Sequence, residues 1–182
     1  SEVWILLCET VQNLNINVLN NFIGEFEVDD YFGEFVDYCR GNGFEITVLS
    51  DGLDYYIDRI MDMPKFNNLR TYSNTVTIEN GTLTPAFPFG DEECKLCANC
   101  KRNHVISHSS DEDISIYIGD GFSDTCPAQF CDYIFAKKSL LKYLEKNRIS
   151  YSPFSTLKDG IRGIEKLKTK KRVKKSHQAE LK

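Results

Sequence analysis

The sequence predicts an α/β fold with a parallel sheet, because helix-like and strand-like segments alternate along the chain. An amphipathic helix over 31–42 precedes the β-branched run 44–49, and another helix begins near residue 53. The later part repeats this order. Its helices are expected at about 102–109, 127–130, 140–147 and 156–167, and its strands at 114–118, 133–136 and 150–154.

The first 27 residues show apolar positions at near-helical spacing. The asparagine-rich stretch NLNIN interrupts them, which favours two short helices over one long helix. Asp29 and Asp30 are predicted to cap the helix over 31–42, and Gly41 and Gly43 to end it.

A β-hairpin is predicted between the two halves of the chain. The β-prone runs 74–78 and 82–86 flank Asn80-Gly81, a dipeptide that favours a type I′ turn. A loop rich in proline, glycine and cysteine follows over 85–100.

The composition is that of a globular protein. The chain has 182 residues, of which 41% are hydrophobic and 12% aromatic, enough for one domain with a sizeable core. No apolar run approaches the ~20 residues that span a bilayer, and the opening SEVWILLCETV has no signal-peptide pattern. We therefore expect no membrane association.

The net charge of −5 is unevenly distributed. Residues 166–182 hold eight Lys/Arg and one Glu, whereas the rest of the chain is strongly acidic. We expect a basic, disordered tail over 166–182. Nucleic-acid binding through this tail is an alternative that the acidic body of the chain disfavours.

Seven cysteines, an odd number, predict reduced thiols and a cytoplasmic location. Three of them form a CxxCxxC cluster that could bind one structural Zn²⁺, with a histidine or another cysteine as fourth ligand. The alternative is that these thiols only shape their loop. The cluster is Cys94, Cys97 and Cys100, and the candidate fourth ligands are His104, Cys126 and Cys131.

An acidic turn, GDGFSD over 119–124, follows the predicted strand 114–118 directly. Ligands bind at the carboxyl ends of strands in open α/β sheets. Mg²⁺ is usually held there by one or two carboxylates, water and substrate phosphate. Asp120 and Asp124 are therefore candidate Mg²⁺ ligands, and the alternative is a strand that simply ends in an acidic turn.

Two earlier segments carry groups that suit phosphate. A turn at Ser50-Asp51-Gly52 is predicted to end the run 44–49, and the Ser50 hydroxyl and the backbone amides of Asp51 and Gly52 could bind phosphate oxygens there. Lys101 precedes a helix and could neutralise phosphate charge. Tyr55 and Tyr56, which follow the Ser50 segment (residues 50–52), either line the mouth of such a site or only pack their helix.

A hydroxyl, a lysine and a pair of aspartates in this order resemble motifs two, three and four of the haloacid-dehalogenase-like (HAD) hydrolases. The closer resemblance is to their phosphoserine-phosphatase-related branch and covers about residues 29–160. It is carried by three segments: FVDYCRGNGFEITVLSDGLDYYIDRI, CKLCANCKRNHVI and IYIGDGFSDTCPAQFCDYIFAKKSLLKYL.

The resemblance implies a Rossmann-like core over 29–165 with a hairpin insertion, and a remnant of a helical cap over 1–28. It also implies Mg²⁺-dependent hydrolysis of a small phosphorylated metabolite through an aspartyl-phosphate. Ser50, Asp51, Gly52 and Lys101 would bind the phosphoryl group, and Asp120 and Asp124 would hold Mg²⁺.

Members of this family begin with a strand that ends in DxDGT, whose first aspartate is the nucleophile. In this sequence no DxD follows a hydrophobic strand. Asp111-Glu112-Asp113 has the DxD pattern, but it precedes its strand and so does not match the motif. We expect that the central nucleophile strand is missing and that the chain is an N-terminally truncated, inactive piece of a phosphatase. Two alternatives remain: a non-catalytic module that binds a phosphorylated ligand or a partner, and a zinc-stabilised nucleic-acid binder.

Overall fold

A computed structural model describes residues 1–93, 97–110 and 112–169. The chain divides into two compact units, Ser1–Cys100 and Lys101–Lys182, and each contains a three-stranded sheet. Among the described residues, none of the helices has the length and apolar character needed to cross a membrane.

The first unit surrounds a mixed sheet of order β1-β2-β3. β1 is parallel to β2, and β2 is antiparallel to β3. Its elements in chain order are α1 (Glu2–Thr10), α2 (Ile16–Gly24), α3 (Phe32–Gly41), β1 (Thr47–Leu53), α4 (Asp54–Met61), a 3₁₀ turn (Pro64–Phe66), β2 (Arg70–Glu79) and β3 (Thr82–Ala86).

The two short N-terminal helices confirm the prediction for this region. Asn15 caps α2, because its side-chain oxygen accepts hydrogen bonds from the amides of Asn17 and Val18. Asp29 accepts a hydrogen bond from the amide of Tyr31 just before α3, at the predicted start of that helix.

β1 differs from the predicted strand, which was expected over 44–49 with a turn at Ser50. The observed strand continues through the Ser50 segment. Leu49 pairs with Tyr72 and Leu53 pairs with Asn74, so β1 has two more residues than β2 between these pairs. The Ser-Asp-Gly sequence therefore forms a bulge within a strand, not a turn after it.

The predicted hairpin is confirmed, with Asn80 and Gly81 both at positive φ, as a type I′ turn requires. β2 begins at Arg70, four residues before the predicted start. The first half of β2 pairs with β1 in parallel, and its second half pairs with β3. β2 is therefore the central strand of this sheet.

The second unit contains an all-parallel sheet of order β4-β5-β6, which confirms the predicted α/β class. Its elements in chain order are α5 (Lys101–His108), β4 (Ile116–Gly119), 3₁₀ turns (Phe122–Asp124 and Pro127–Phe130), β5 (Tyr133–Ala136), α6 (Lys138–Lys146), β6 (Ser152–Pro153) and α7 (Leu157–Lys168). α7 includes the first residues of the predicted basic tail, and residues 170–182 lie outside the described residues.

The core of the second unit forms where α6 and α7 bury one face each. Phe135 of β5 and Leu140 and Leu144 of α6 are fully buried. Burial of side chains of this size contributes roughly 1.5–3 kcal/mol each. β5, which carries Phe135, pairs in parallel with β4, the strand that leads into the acidic turn.

Gly163 of α7 lies against the Phe135 ring so closely that an added Cβ would overlap it. We expect Gly163→Ala to lower the free energy of unfolding by about 1–3 kcal/mol, because the core must shift to make room. Gly41→Ala in α3 is the control, since no atom lies within 4 Å of its added Cβ. It should leave stability unchanged or raise it by up to about 1 kcal/mol. Equal effects of the two substitutions in urea unfolding would contradict the packing described here.

Candidate active site

The Ser50 segment is held in place by buried asparagine side chains in the first unit. The backbone amide of Asn99 donates to Asp51 Oδ1 over 2.9 Å, and Asn99 Nδ2 donates to the carbonyl of Ser50 over 2.8 Å. Asn99 is fully buried. The amide of Gly52 donates to Ser50 Oγ over 3.1 Å. The bulge of β1 thus has a defined shape before any ligand binds.

The carbonyl of Asp51 accepts two further hydrogen bonds. Trp4 Nε1 in α1 donates over 2.8 Å and Asn74 Nδ2 in β2 over 2.9 Å. Asn74 is fully buried, and its Oδ1 has no donor among the described residues. A buried acceptor of this kind costs about 1–3 kcal/mol, which partly offsets the hydrogen bond that Asn74 Nδ2 donates to Asp51.

Sequence reasoning missed Trp4, Asn74 and Asn99 as parts of this site. Trp4 looks like a core residue of a helical stripe, and Asn99 lies within the cysteine cluster. A signal did exist for Asn74, since an asparagine in the middle of a β-branched strand is unusual.

Lys101 and Asp124 form a buried ion pair in the second unit. Lys101 Nζ lies 2.7 Å from Asp124 Oδ1 and 3.2 Å from Ser123 Oγ. Each side chain of the ion pair is 8% exposed. Both residues were assigned to one candidate site from the sequence, and in the structure their side chains are in direct contact.

Both oxygens of the Asp124 carboxylate are occupied by donors. Oδ1 accepts from Lys101 and from the Tyr117 hydroxyl, which is 2.8 Å away. Oδ2 accepts from the backbone amides of Asp120 and Gly121, over 3.0 and 2.9 Å. Gly119 provides the space, because a Cβ there would lie 2.7 Å from Asp124 Oδ2. Asp124 is therefore the buried acceptor that holds the backbone of the acidic turn in place.

The pKa of Asp124 follows from these contacts. Burial alone would raise the pKa, but the Lys101 ammonium and the hydrogen bonds from Lys101, Gly121 and Tyr117 outweigh burial and hold it below its usual value. Asp124 is thus a carboxylate at neutral pH.

Asp120 points outward from the same turn, with 44% of its side chain exposed. Its Oδ2 lies 2.9 Å from Nζ of Lys138, a residue that sequence reasoning missed. Lys138 has a backbone φ of 50°, unusual for a residue with a side chain. The hydrogen bond to Asp120 raises the pKa of the Lys138 ammonium.

Backbone hydrogen bonds fasten the start of α6 to the acidic turn. The amide of Lys137 donates to the carbonyl of Gly119, and the amide of Leu140 donates to the carbonyl of Asp120, each over 3.2 Å. Lys138 lies between these two donors. Its position beside Asp120 is therefore set by the fold, not only by the attraction of opposite charges.

The acidic turn suits Mg²⁺ through one carboxylate. Mg²⁺ commonly takes one or two carboxylates and completes its shell with water and phosphate. Asp120 has an exposed carboxylate for this purpose, whereas the Asp124 oxygens already accept four hydrogen bonds. Of the two carboxylates, Asp120 is therefore the one whose oxygen atoms are accessible and could hold a metal ion.

The zinc prediction concerns a cluster that is only partly described. Cys94 lies outside the described residues, and Cys100 is buried with its Sγ 3.9 Å from Asp91 Oδ2. Within the described ranges, His, Cys, Asp and Glu side chains form no group of three or more that could hold a metal ion. A structural Zn²⁺ at Cys94, Cys97 and Cys100 stays a prediction.

Comparison with known proteins shows which family this chain belongs to. The family model described as "Putative Phosphatase" matches residues 7–155, well over half of the chain. The chain belongs to this family of HAD-type phosphatases. The resemblance seen in the sequence is thereby confirmed, and the family's enzymes are hydrolases of phosphoric monoesters.

Curated relatives carry one recurring name, 2-hydroxy-3-keto-5-methylthiopentenyl-1-phosphate phosphatase. The protein of that name from Bacillus cereus (strain ATCC 14579) is 28% identical over 151 residues, which cover 81% of this chain and 68% of the relative. The protein from Brevibacillus brevis is 27% identical over 157 residues, with coverages of 85% and 71%.

Two solved structures share the fold. A phospho-aspartyl intermediate analogue of phosphoserine phosphatase aligns with a TM-score of 0.65 at 15% identity, covering 86% of this chain and 73% of its own. Phosphoserine phosphatase from T. onnurineus aligns with a TM-score of 0.61 at 14% identity, with coverages of 86% and 68%. These neighbours confirm the Rossmann-like fold class.

Proposed function

We propose that this chain carries the phosphate-binding and metal-binding residues of a Mg²⁺-dependent phosphatase for a small phosphorylated metabolite. The observation that carries the proposal is the acidic turn, where the buried Lys101–Asp124 pair lies beside the exposed carboxylate of Asp120. Family membership and the names of the relatives support the reaction class. The cysteine content supports a cytoplasmic location, where thiols stay reduced.

Each residue has a role in this proposal. The hydroxyl of Ser50 and the amide of Asp51 bind phosphoryl oxygens, and the amide of Gly52 exchanges its hydrogen bond to Ser50 Oγ for one to the phosphoryl group. Lys101 offsets negative charge as the phosphoryl group is transferred, and Asp120 ligates Mg²⁺. When bound, Mg²⁺ would neutralise charge on the phosphoryl group. Electrostatic stabilisation of this kind is the main catalytic contribution in phosphoryl transfer.

The nucleophile in this proposal is an aspartate outside residues 1–182, on a segment with the DxDGT pattern, and it forms the aspartyl-phosphate. Within the described residues, β1 lies at one end of its sheet and β4 at one end of the other sheet. Each therefore has an edge at which a further strand could pair. The matched region of the relatives covers 68–71% of their length, which leaves room for such a segment.

Lys138 should compete with Mg²⁺ for the Asp120 carboxylate. We expect Lys138→Met to tighten Mg²⁺ binding about two- to fivefold, because the ion no longer has to displace an ammonium at 2.9 Å. Mg²⁺ titration of the 182-residue protein, followed by the NMR signals of the Gly119 and Gly121 amides, measures this change.

Lys142→Met is the matched control for this titration, since Lys142 is exposed on the same helix and loses the same charge. It should leave the Mg²⁺ affinity nearly unchanged. Absence of Mg²⁺ binding by the wild-type protein and by Lys138→Met would overturn the assignment of Asp120 as a metal ligand. Equal affinities of Lys138→Met and Lys142→Met would overturn the competition.

A further inference from the structure

An apolar cavity of about 180 Å³ lies in the first unit between α1, α2, α4 and the β2–β3 hairpin. Its lining contains aliphatic, aromatic and cysteine side chains and no charged side chain. Apolar cavities of about 150 Å³ can take up molecules of the size of benzene, and this one is partly open to solvent. This cavity is therefore large enough for a chain of roughly six carbon atoms.

Three of the lining residues reach the Ser50 segment. Leu53 follows it in β1, and Trp4 donates its indole hydrogen bond to the carbonyl of Asp51. The Tyr56 hydroxyl lies against Gly52 so closely that a Cβ at Gly52 would overlap it, and Ser50 Oγ is 3.1 Å from that same Cβ position. The Tyr56 side chain thus extends from the cavity lining to the Ser50 segment.

We propose that this cavity is the specificity pocket for a short, uncharged apolar tail on the phosphomonoester substrate. The inference rests on the proposed function, because it places the phosphate on the Ser50 segment and the tail along the Tyr56 ring. A tail with a charge or several hydroxyl groups would lose its water in this pocket without gaining partners, which is unfavourable. The substrate class is therefore an alkyl-type phosphate, not a sugar phosphate or an amino-acid phosphate.

Two of the polar groups at the cavity are already engaged with the protein. The Tyr55 hydroxyl donates to Asn20 Oδ1 over 2.8 Å, and the Trp4 indole donates to Asp51. Cys8 is buried in the cavity wall, and burial raises the pKa of its thiol, so the wall stays uncharged at neutral pH. A tail in this pocket therefore gains binding free energy chiefly from apolar contact.

The test is a series of non-hydrolysable alkylphosphonates, from methyl to hexyl, titrated into the 182-residue protein with Mg²⁺. Trp4 lines the cavity and is the single tryptophan of the chain, so its fluorescence reports occupancy directly. We expect the affinity to rise about fourfold for each added methylene and then to level off once the cavity is full. Affinity that does not depend on tail length would overturn the pocket and leave the phosphate site intact.

A matched pair of cysteine variants checks that the tail occupies this cavity. Cys8→Leu fills it, whereas Cys39→Leu makes the same change at a buried cysteine of α3 that does not line it. Cys8→Leu should lose at least about tenfold in hexylphosphonate affinity and keep its methylphosphonate affinity. Cys39→Leu should retain the dependence on tail length. Equal losses in both variants would count against the pocket.

1-Hexanol separates failure of the pocket from failure of the proposed function, because it carries the same tail without a phosphonate. A Trp4 response to 1-hexanol, with no binding of any phosphonate or of inorganic phosphate, would overturn the phosphate site and the substrate inference that depends on it. It would leave an apolar ligand site. No response to hexanol or hexylphosphonate would overturn the pocket itself.

Discussion

Lys101→Met should lower the free energy of unfolding by about 3–5 kcal/mol, because it leaves the Asp124 carboxylate buried without its counter-ion. Urea unfolding of the variant and the wild type measures this loss. Lys142→Met, which removes the same charge from an exposed position, should change stability by no more than about 0.5 kcal/mol.

A double variant separates the lost ion pair from a general packing defect. Lys101→Met with Asp124→Asn removes both charges, so part of the stability lost in Lys101→Met should return. If the single and double variants are equally unstable, the buried charge is not the cause. A loss of less than about 1 kcal/mol in Lys101→Met would contradict the buried pair itself.

The same pair predicts a pH dependence. The pKa of Asp124 is lower in the folded protein than its ordinary value of about 3.9. Its contribution is therefore fully present above about pH 4 and is lost as the pH falls through the lowered pKa. The stability difference between wild type and Lys101→Met should shrink as the pH falls from 7 to about 3. A constant difference across this range would contradict the assignment.

Asp120→Asn should have the largest effect on activity. The amide removes the negative charge that the carboxylate offers to Mg²⁺, so we expect hydrolysis to fall about 10²- to 10³-fold in a protein that contains the nucleophile. Asp37→Asn on the exposed face of α3 is the control and should leave the rate unchanged. In the 182-residue protein, Asp120→Asn should weaken Mg²⁺ binding by at least about tenfold, and unchanged binding would contradict the metal role.

The sequence predicts most of the fold because local signals are strong in this chain. Asn80-Gly81 between two β-prone runs determines the hairpin, and the break at NLNIN separates the two N-terminal helices. The end of β1 was predicted wrongly for a physical reason. Ser-Asp-Gly favours a turn locally, but pairing with β2 and the hydrogen bonds from Asn99 hold the segment within the strand.

The candidate site was predicted in part. The order of Ser50, Lys101 and Asp120 can be read from the sequence, since these residues stand next to strands and helices with clear patterns. The difference between Asp120 and Asp124 cannot be read, because two carboxylates four residues apart look equivalent until one is buried among four donors. Lys138 is likewise brought to Asp120 by tertiary structure, through the parallel pairing of β4 with β5 and the backbone hydrogen bonds from Lys137 and Leu140 to the acidic turn.

Mg²⁺-dependent hydrolysis of p-nitrophenyl phosphate tests the proposed phosphatase function most directly. The protein to use is a chimera that joins residues 1–182 to the segment of the Bacillus cereus relative preceding its matched region, which the family resemblance predicts to carry DxDGT. We expect hydrolysis that requires Mg²⁺ and is lost in Asp120→Asn. A folded chimera that binds phosphate without turning over the ester, or one whose activity survives Asp120→Asn, would contradict this function.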